Sequence, residues 1–160
     1  MYNPLCYIEW SEQEERELGM IYEYAAVAQE ELFLYKLVDS IKLHHRIWVH
    51  VSHETEDDQR HTIYVRPFAD ELPAPYQQQL ARTISGQKDY PTRLELEYWL
   101  WDGRQFERRE KATRWMSTLE MAKVLLDHYR TEAGITYELL YSTLDADRQK
   151  VMIFMSEVDV

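Results

Sequence analysis

Leu94-Glu95-Leu96-Glu97-Tyr98-Trp99-Leu100-Trp101-Asp102-Gly103 is the stretch on which the reading of the fold turns. Leu94, Leu96, Tyr98 and Leu100 alternate with Glu95, Glu97, Trp99 and Trp101, the two-residue period of a strand with one face on a core. Asp102-Gly103 then supplies a tight turn tolerant of positive φ. The return strand, 104–110, has Phe106 as its only large apolar residue. Its charges suit a sheet edge, where they discourage pairing with another chain.

Two more hairpins follow from the same logic. Over 46–52, Ile47, Val49 and Val51 point one way and Trp48 and His50 the other. The polar loop 54–60 leads to a second strand over 61–66, which Pro67 closes. The last pair, 135–144 and 150–158, turns at Asp145-Ala146-Asp147. Leu139, Leu140, Ile153 and Phe154 make both of its faces apolar, so it is expected to be central or covered on both sides. A helix over 136–144 fits the same short apolar run.

A helix is expected before each hairpin. The first opens at Ser11 with Glu14 three residues on, a capping-box spacing. Leu18, Ile21, Ala25, Ala28, Leu32 and Tyr35 then recur at intervals of three and four, and the helix is expected to run to about 41. A second, short helix carries Tyr76, Leu80 and Ile84 and ends at Gly86. The third opens on Ser117 and Glu120, turns Leu119, Ala122, Leu125, Leu126 and Tyr129 inward, and ends at Gly134. The expectation is one α+β domain over 1–160, with about six mostly antiparallel strands, three main helices and a helix-hairpin unit repeated three times.

Composition bounds the function. The chain has 160 residues, 45% hydrophobic and 13% aromatic, which suffices for an unaided core. It carries 29 acidic against 18 basic residues, a net −11. Such a surface repels phosphate, so nucleic-acid binding is not expected. Four glycines cannot build a phosphate-cradling loop, and no nucleophile elbow or dinucleotide fingerprint occurs. The N-terminus has no basic region followed by an apolar core, and no run of about 18 uncharged apolar residues exists. With Cys6 as the single cysteine, a cytoplasmic protein without membrane contact is expected.

Three features could carry function. Nine acids lie in residues 1–40 against Arg16 and Lys36 alone, a charge bias suited to a basic partner. If the aliphatic faces of the hairpins meet the helices, Trp48, Trp99 and Trp101 face away, interleaved with His50, Arg93, Glu95 and Glu97. Aromatic residues among charges make a recognition patch. Glu95 and Glu97 are also placed to pair across strands with Arg108 or Arg109. Finally, five of six histidines fall between 44 and 61: His44, His45, His50, His53 and His61, beside Glu54, Glu56, Asp57 and Asp58. These are zinc-ligand types without a recognised ligand spacing.

The sequence therefore points to a non-enzymatic, cytosolic binding protein with no cofactor. Its expected partner is a basic protein, such as a nucleic-acid-active toxin neutralised by occlusion, as immunity proteins do. The partner-binding residues would be Trp48, Trp99, Trp101, Glu54, Glu56, Asp57, Asp58, Glu95 and Glu97. Two alternatives fit the same composition: a small acidic secretion-type chaperone, which would dimerise, and a metal-dependent hydrolase built on His50, His53 and His61.

Overall fold

The computed structural model describes residues 2–89, 93–109 and 116–158. The chain starts with β1 (Tyr2–Ser11), β2 (Arg16–Ala28) and α1 (Gln29–Leu37). Next come β3 (Ser40–Leu43), β4 (Arg46–Glu56), β5 (Arg60–Pro67) and α2 (Tyr76–Gly86). It continues with β6 (Glu95–Trp101), β7 (Phe106–Arg108) and α3 (Thr118–Leu125), and ends with β8 (Tyr129–Glu132), β9 (Ile135–Asp145) and β10 (Lys150–Glu157). All ten strands join one sheet in the order β2-β1-β5-β4-β3-β9-β10-β6-β7, with β8 paired to β9. The β1–β5, β3–β9 and β10–β6 ladders are parallel and the others antiparallel. No helix among the described residues is long and apolar enough to cross a membrane.

This overturns the expectation of six mostly antiparallel strands in helix-hairpin units. The molecule is a mixed sheet of ten strands with three short helices. The largest difference is at 11–28, expected to be helical. Ser11 and Glu14 do form the local bond of a cap, Glu14 N donating to Ser11 Oγ at 3.1 Å, but it closes the β1–β2 turn. β2 then pairs with β1 through three register shifts, and each places an extra residue on β2: Leu18, Ile21 and one of Ala25 or Ala26. Bulges at this spacing turn a period of two into intervals of three and four, which is why the strand imitates a helical stripe. Only Leu32 and Tyr35 of that stripe lie on a helix, α1.

The other two helices open where their signals stood, but Leu119, Leu126 and Tyr129, expected to turn inward from the third, are exposed. α2 ends at Gly86. α3 opens on a complete capping box, with Glu120 N donating to Ser117 Oγ at 3.2 Å and Ser117 N to Glu120 Oε1 at 3.5 Å. It stops at Leu125, and Gly134 instead sits with φ +80° in the β8–β9 turn. A hairpin forms at Asp102, with Asp102 Oδ1 accepting from Arg104 N and Gln105 N, but the connection takes residues 102–105 and the described return strand is only Phe106–Arg108. Glu110, the expected end of its return strand, lies outside the described residues.

The final pair decides where the core sits. Both members are strands, interior to the sheet and covered on both faces. Along β10, Val151, Ile153 and Met155 pack with Leu32 and Leu34 of α1 and Met121, Ala122 and Val124 of α3. Met152 and Phe154 alternate to the other face, against Leu80 and Ile84 of α2. Fully burying such a side chain is worth roughly 1.5–3 kcal/mol, so this strand anchors two apolar layers at once.

Two covered faces also correct the placement of the indoles. Trp48, 4% exposed, belongs to the α1/α3 layer, and Trp99, 7% exposed, to the α2 layer. Trp99 stacks on Phe154 at 6.4 Å, and Trp101 lies edge-on to Tyr76 and Phe106 at 4.9 and 5.0 Å. The expectation that these three residues meet solvent fails because α2 covers the side of Trp99 and Trp101, and α1 with α3 covers that of Trp48.

Candidate functional site

The α2 layer covers only half of its face of the sheet. No buried residue of β1, β2 or β5 belongs to it. Leu5 and Tyr7 of β1 and Ile63 and Val65 of β5 point to the α1/α3 layer. Their alternates therefore line the opposite side, which none of the described helices covers: Cys6, Ile8 and Trp10 on β1, Thr62, Tyr64 and Arg66 on β5. Cross-strand register adds Met20, Glu17 and Glu23 of β2 and Ser52, Glu54 and Glu56 of β4. Ile8, Trp10 and Tyr64 are half-buried by their neighbours, whereas Met20 is 62% exposed.

Tyr64 organises this face. Its Oη donates to Glu54 Oε1 at 2.8 Å and stands 3.3 Å from Glu17 Oε1, tying β4 to β2 across β5 and β1. The bond to Glu54 is the main reason the phenol titrates well above its ordinary range. Trp10 meets the Tyr64 ring edge-on, centroids 5.7 Å apart. Beside them, burial and the Glu23 carboxylate push the Cys6 thiol up, which keeps it protonated.

The charge on this face is predominantly negative. Arg66 is held by Glu71 in a two-pronged pair at 2.7 and 2.9 Å, with Glu12 4.0 Å away. Arg16 is turned to Glu14 at 3.2 Å. Glu17, Glu23, Glu54 and Glu56 are exposed, and Asp57 and Asp58 cap the β4–β5 turn with positive φ. An apolar island of Ile8, Trp10 and Met20 is thus bordered by carboxylates, an arrangement that can stack a cationic side chain on an indole and hold its charge.

Comparison with family models, curated proteins and solved structures found no match.

The sequence-derived candidates scatter. Glu54 and Glu56 are on the open face, with Asp57 and Asp58 at its end. Glu95 and Glu97 are on the other half of the sheet, where they neutralise buried cations. Glu95 takes Lys150 at 3.1 Å and Arg93 at 3.0 Å. Glu97 takes Arg108 at 3.0 Å, the cross-strand pair read from the sequence, and also Arg148 and the Trp99 indole N–H. Arg148, 2% exposed, further binds Asp145 at 2.7 Å and Asp89 at 3.1 Å, while Lys42 reaches Asp145 at 3.4 Å. Each charge in this network has a partner, so it reads as structural.

The histidines disperse as well. His44 and His45 sit in the β3–β4 turn at positive φ, their backbone N–H groups each 2.8 Å from the Asp147 carboxylate. His61 meets Lys36 Nζ at 2.8 Å, and His50 turns under α1 toward Tyr7, ring centroids 6.1 Å apart. Among the described residues no group of three or more His, Cys, Asp or Glu is placed to hold a metal. Trp10, Tyr64 and Met20 are absent from the sequence-derived set. The alternation of Leu5 and Tyr7 with Cys6, Ile8 and Trp10 is the signal that would have found the first of them.

Proposed function

We propose that the protein is a non-enzymatic binding protein that holds a basic protein partner on the open face of β2, β1, β5 and β4. The observation that carries this reading is the Trp10–Tyr64 pair framed by Glu17 and Glu54 on a sheet surface that none of the described helices covers. A lysine or arginine of the partner stacks on Trp10, a contact worth about 0.5–1 kcal/mol when partly exposed, and its charge meets the carboxylates. The net −11 steers a cationic partner from a distance and rejects acidic ones. Occlusion of a nucleic-acid-active toxin, with carboxylates standing where substrate phosphates would, is the form of inhibition this surface suits best.

The test is capture from the source cell's lysate at low salt and at about 0.5 M salt, where surface charges are screened beyond a few ångströms. The wild type is compared with Trp10→Ala and with Glu17→Gln/Glu54→Gln. A basic protein retained by the wild type, and released by salt and by both variants, is the expected result. Retention that ignores the variants, a retained set without basic members, or a homodimer seated on this face overturns the reading.

A further inference from the structure

On the side of the sheet that faces α1, the antiparallel register sets His53 beside Ile63 and Thr55 beside His61. The parallel ladder sets Leu5 of β1 on the other side of His61. Lys36, in the last turn of α1, reaches into this corner. Its Nζ lies 2.8 Å from His61 Nδ1 and donates to Thr55 Oγ1 at 3.2 Å. Thr55 Oγ1 closes the triangle, 3.1 Å from the same imidazole nitrogen. Leu5 and Ile63, the strand neighbours of His61 and His53, are wholly buried.

This geometry suits a neutral amine. The chain carries 29 acidic residues, yet among the described residues no carboxylate pairs with Lys36. A neutral amine has two N–H groups and one lone pair. Thr55 Oγ1 and His61 Nδ1 accept the two N–H groups, with the imidazole proton on Nε2, and the lone pair is left free to attack. An ammonium would carry a third N–H with no acceptor among the described residues. Burial pushes the Lys36 amine below its ordinary range, and burial with the Lys36 charge nearby pushes His61 below 6.5, so the imidazole is a free base at neutral pH. His53, on the same side, is pushed down for the same two reasons. Thr55 and His53 are exposed, so the corner opens to solvent. Lys36 and His53 also border a cleft of about 680 Å³ whose lining includes Leu37, Val38 and Val51.

We propose that Lys36 forms a Schiff base with a small uncharged aldehyde, with His61 as the base that takes the amine proton. The Nζ lone pair attacks the carbonyl carbon and a C–N bond forms. One amine proton passes to His61 Nδ1, and solvent protonates the carbonyl oxygen to give a carbinolamine. His61 then returns its proton to the hydroxyl, the C–O bond breaks, water leaves and a protonated imine remains. The net change is one aldehyde and one solvent proton taken up and one water released. An anionic aldehyde would be repelled by the net −11, and a cationic one by Lys36. The adduct is stoichiometric, and it forms on the side of the sheet opposite the open face, whose role as a protein-binding surface it does not require.

Benzaldehyde is the probe, with cyanoborohydride to trap the imine as a stable secondary amine. Initial labelling rates of each lysine are read by peptide mass spectrometry at about pH 6, 7 and 8. Lys88 and Lys123 are exposed and serve as internal references. Because each unit of lowered pKa raises the neutral fraction about tenfold, Lys36 is expected to label at least about tenfold faster than either at pH 7. Its rate is also expected to rise less steeply with pH than theirs. His61→Gln keeps a hydrogen-bond acceptor but cannot take the proton. It is expected to slow Lys36 several-fold and leave Lys88 and Lys123 unchanged, and Trp10→Ala is expected to alter none of the three. Lys36 labelling no faster than the references, or undiminished in a folded His61→Gln protein, overturns the proposal. If that variant does not fold, the ranking of the three lysines and the pH profile of Lys36 in the wild type decide alone.

Discussion

Arg148 Nη2 and Glu97 Oε1 lie 2.9 Å apart, in side chains 2% and 8% exposed. The same guanidinium holds Asp145, which is wholly buried. Removing one member of a buried ion pair leaves the other desolvated and uncompensated, a loss of about 3–5 kcal/mol. Arg148→Met keeps the bulk and removes the charge. Its urea midpoint is expected to fall by that free energy, and an unchanged midpoint would contradict the structural role given to the network.

His50 makes stability depend on pH. Burial, with His53 nearby, holds its imidazole at about 3 against an ordinary 6.5. His53 and His61 are pushed in the same direction by burial. As pH falls below about 6.5, the unfolded chain takes up a proton that the folded ring refuses. The stabilisation is complete above that pH and is lost as pH falls toward 3, at up to about 1.4 kcal/mol per unit. His50→Phe lacks this component. Unfolding curves at about pH 7, 6 and 5 should show the wild type losing ground to the variant at each step.

The two kinds of large apolar residue are separable by mutation. Trp99 is packed between Phe154 and the ion network, and Trp99→Ala is expected to cost about 3–5 kcal/mol through the cavity it leaves. Met20 stands mostly in water, so Met20→Ser is expected to fall within about 0.5 kcal/mol of wild type. Thermal melts of the pair check both. A costly Met20→Ser would show that something covers the open face.

The capping box of α3 gives a smaller, local test. Ser117→Ala removes the acceptor of Glu120 N and is expected to cost about 1 kcal/mol. Ser117→Gly is expected to cost only a few tenths, because glycine leaves the cap backbone open to water. Equal losses in the two variants would place the effect elsewhere than the cap.

The hairpins, the cap at Ser117 and the helix ending at Gly86 were legible because each is written in local chemistry: alternation, a turn dipeptide, a hydroxyl three residues before a carboxylate. The face assignments were not. Trp48 and Trp99 alternate with aliphatic residues as solvent-facing residues would, and only the packing of α2 and of α1 with α3 on opposite sides reveals that both sets are interior. β2 failed for a different reason. Leu18 and Ile21 are single inserted residues, and their spacing carries the helical period without a helix. The open face escaped because it is assembled from β1, β2, β4 and β5, and the β1–β5 contact joins residues more than fifty apart in a parallel ladder. No window along the chain contains it.

β2 forms one rim of the sheet, thirteen residues long, and an unpaired strand of that length would ordinarily recruit a neighbour's backbone. Its inserted residues throw the free amides and carbonyls out of step, so a second regular strand cannot zip along it. The opposite rim, β7, offers three residues, two of them charged. β8, paired to β9 alone, makes a third rim of only four residues, so none of the three described rims offers another chain a long regular ladder to extend.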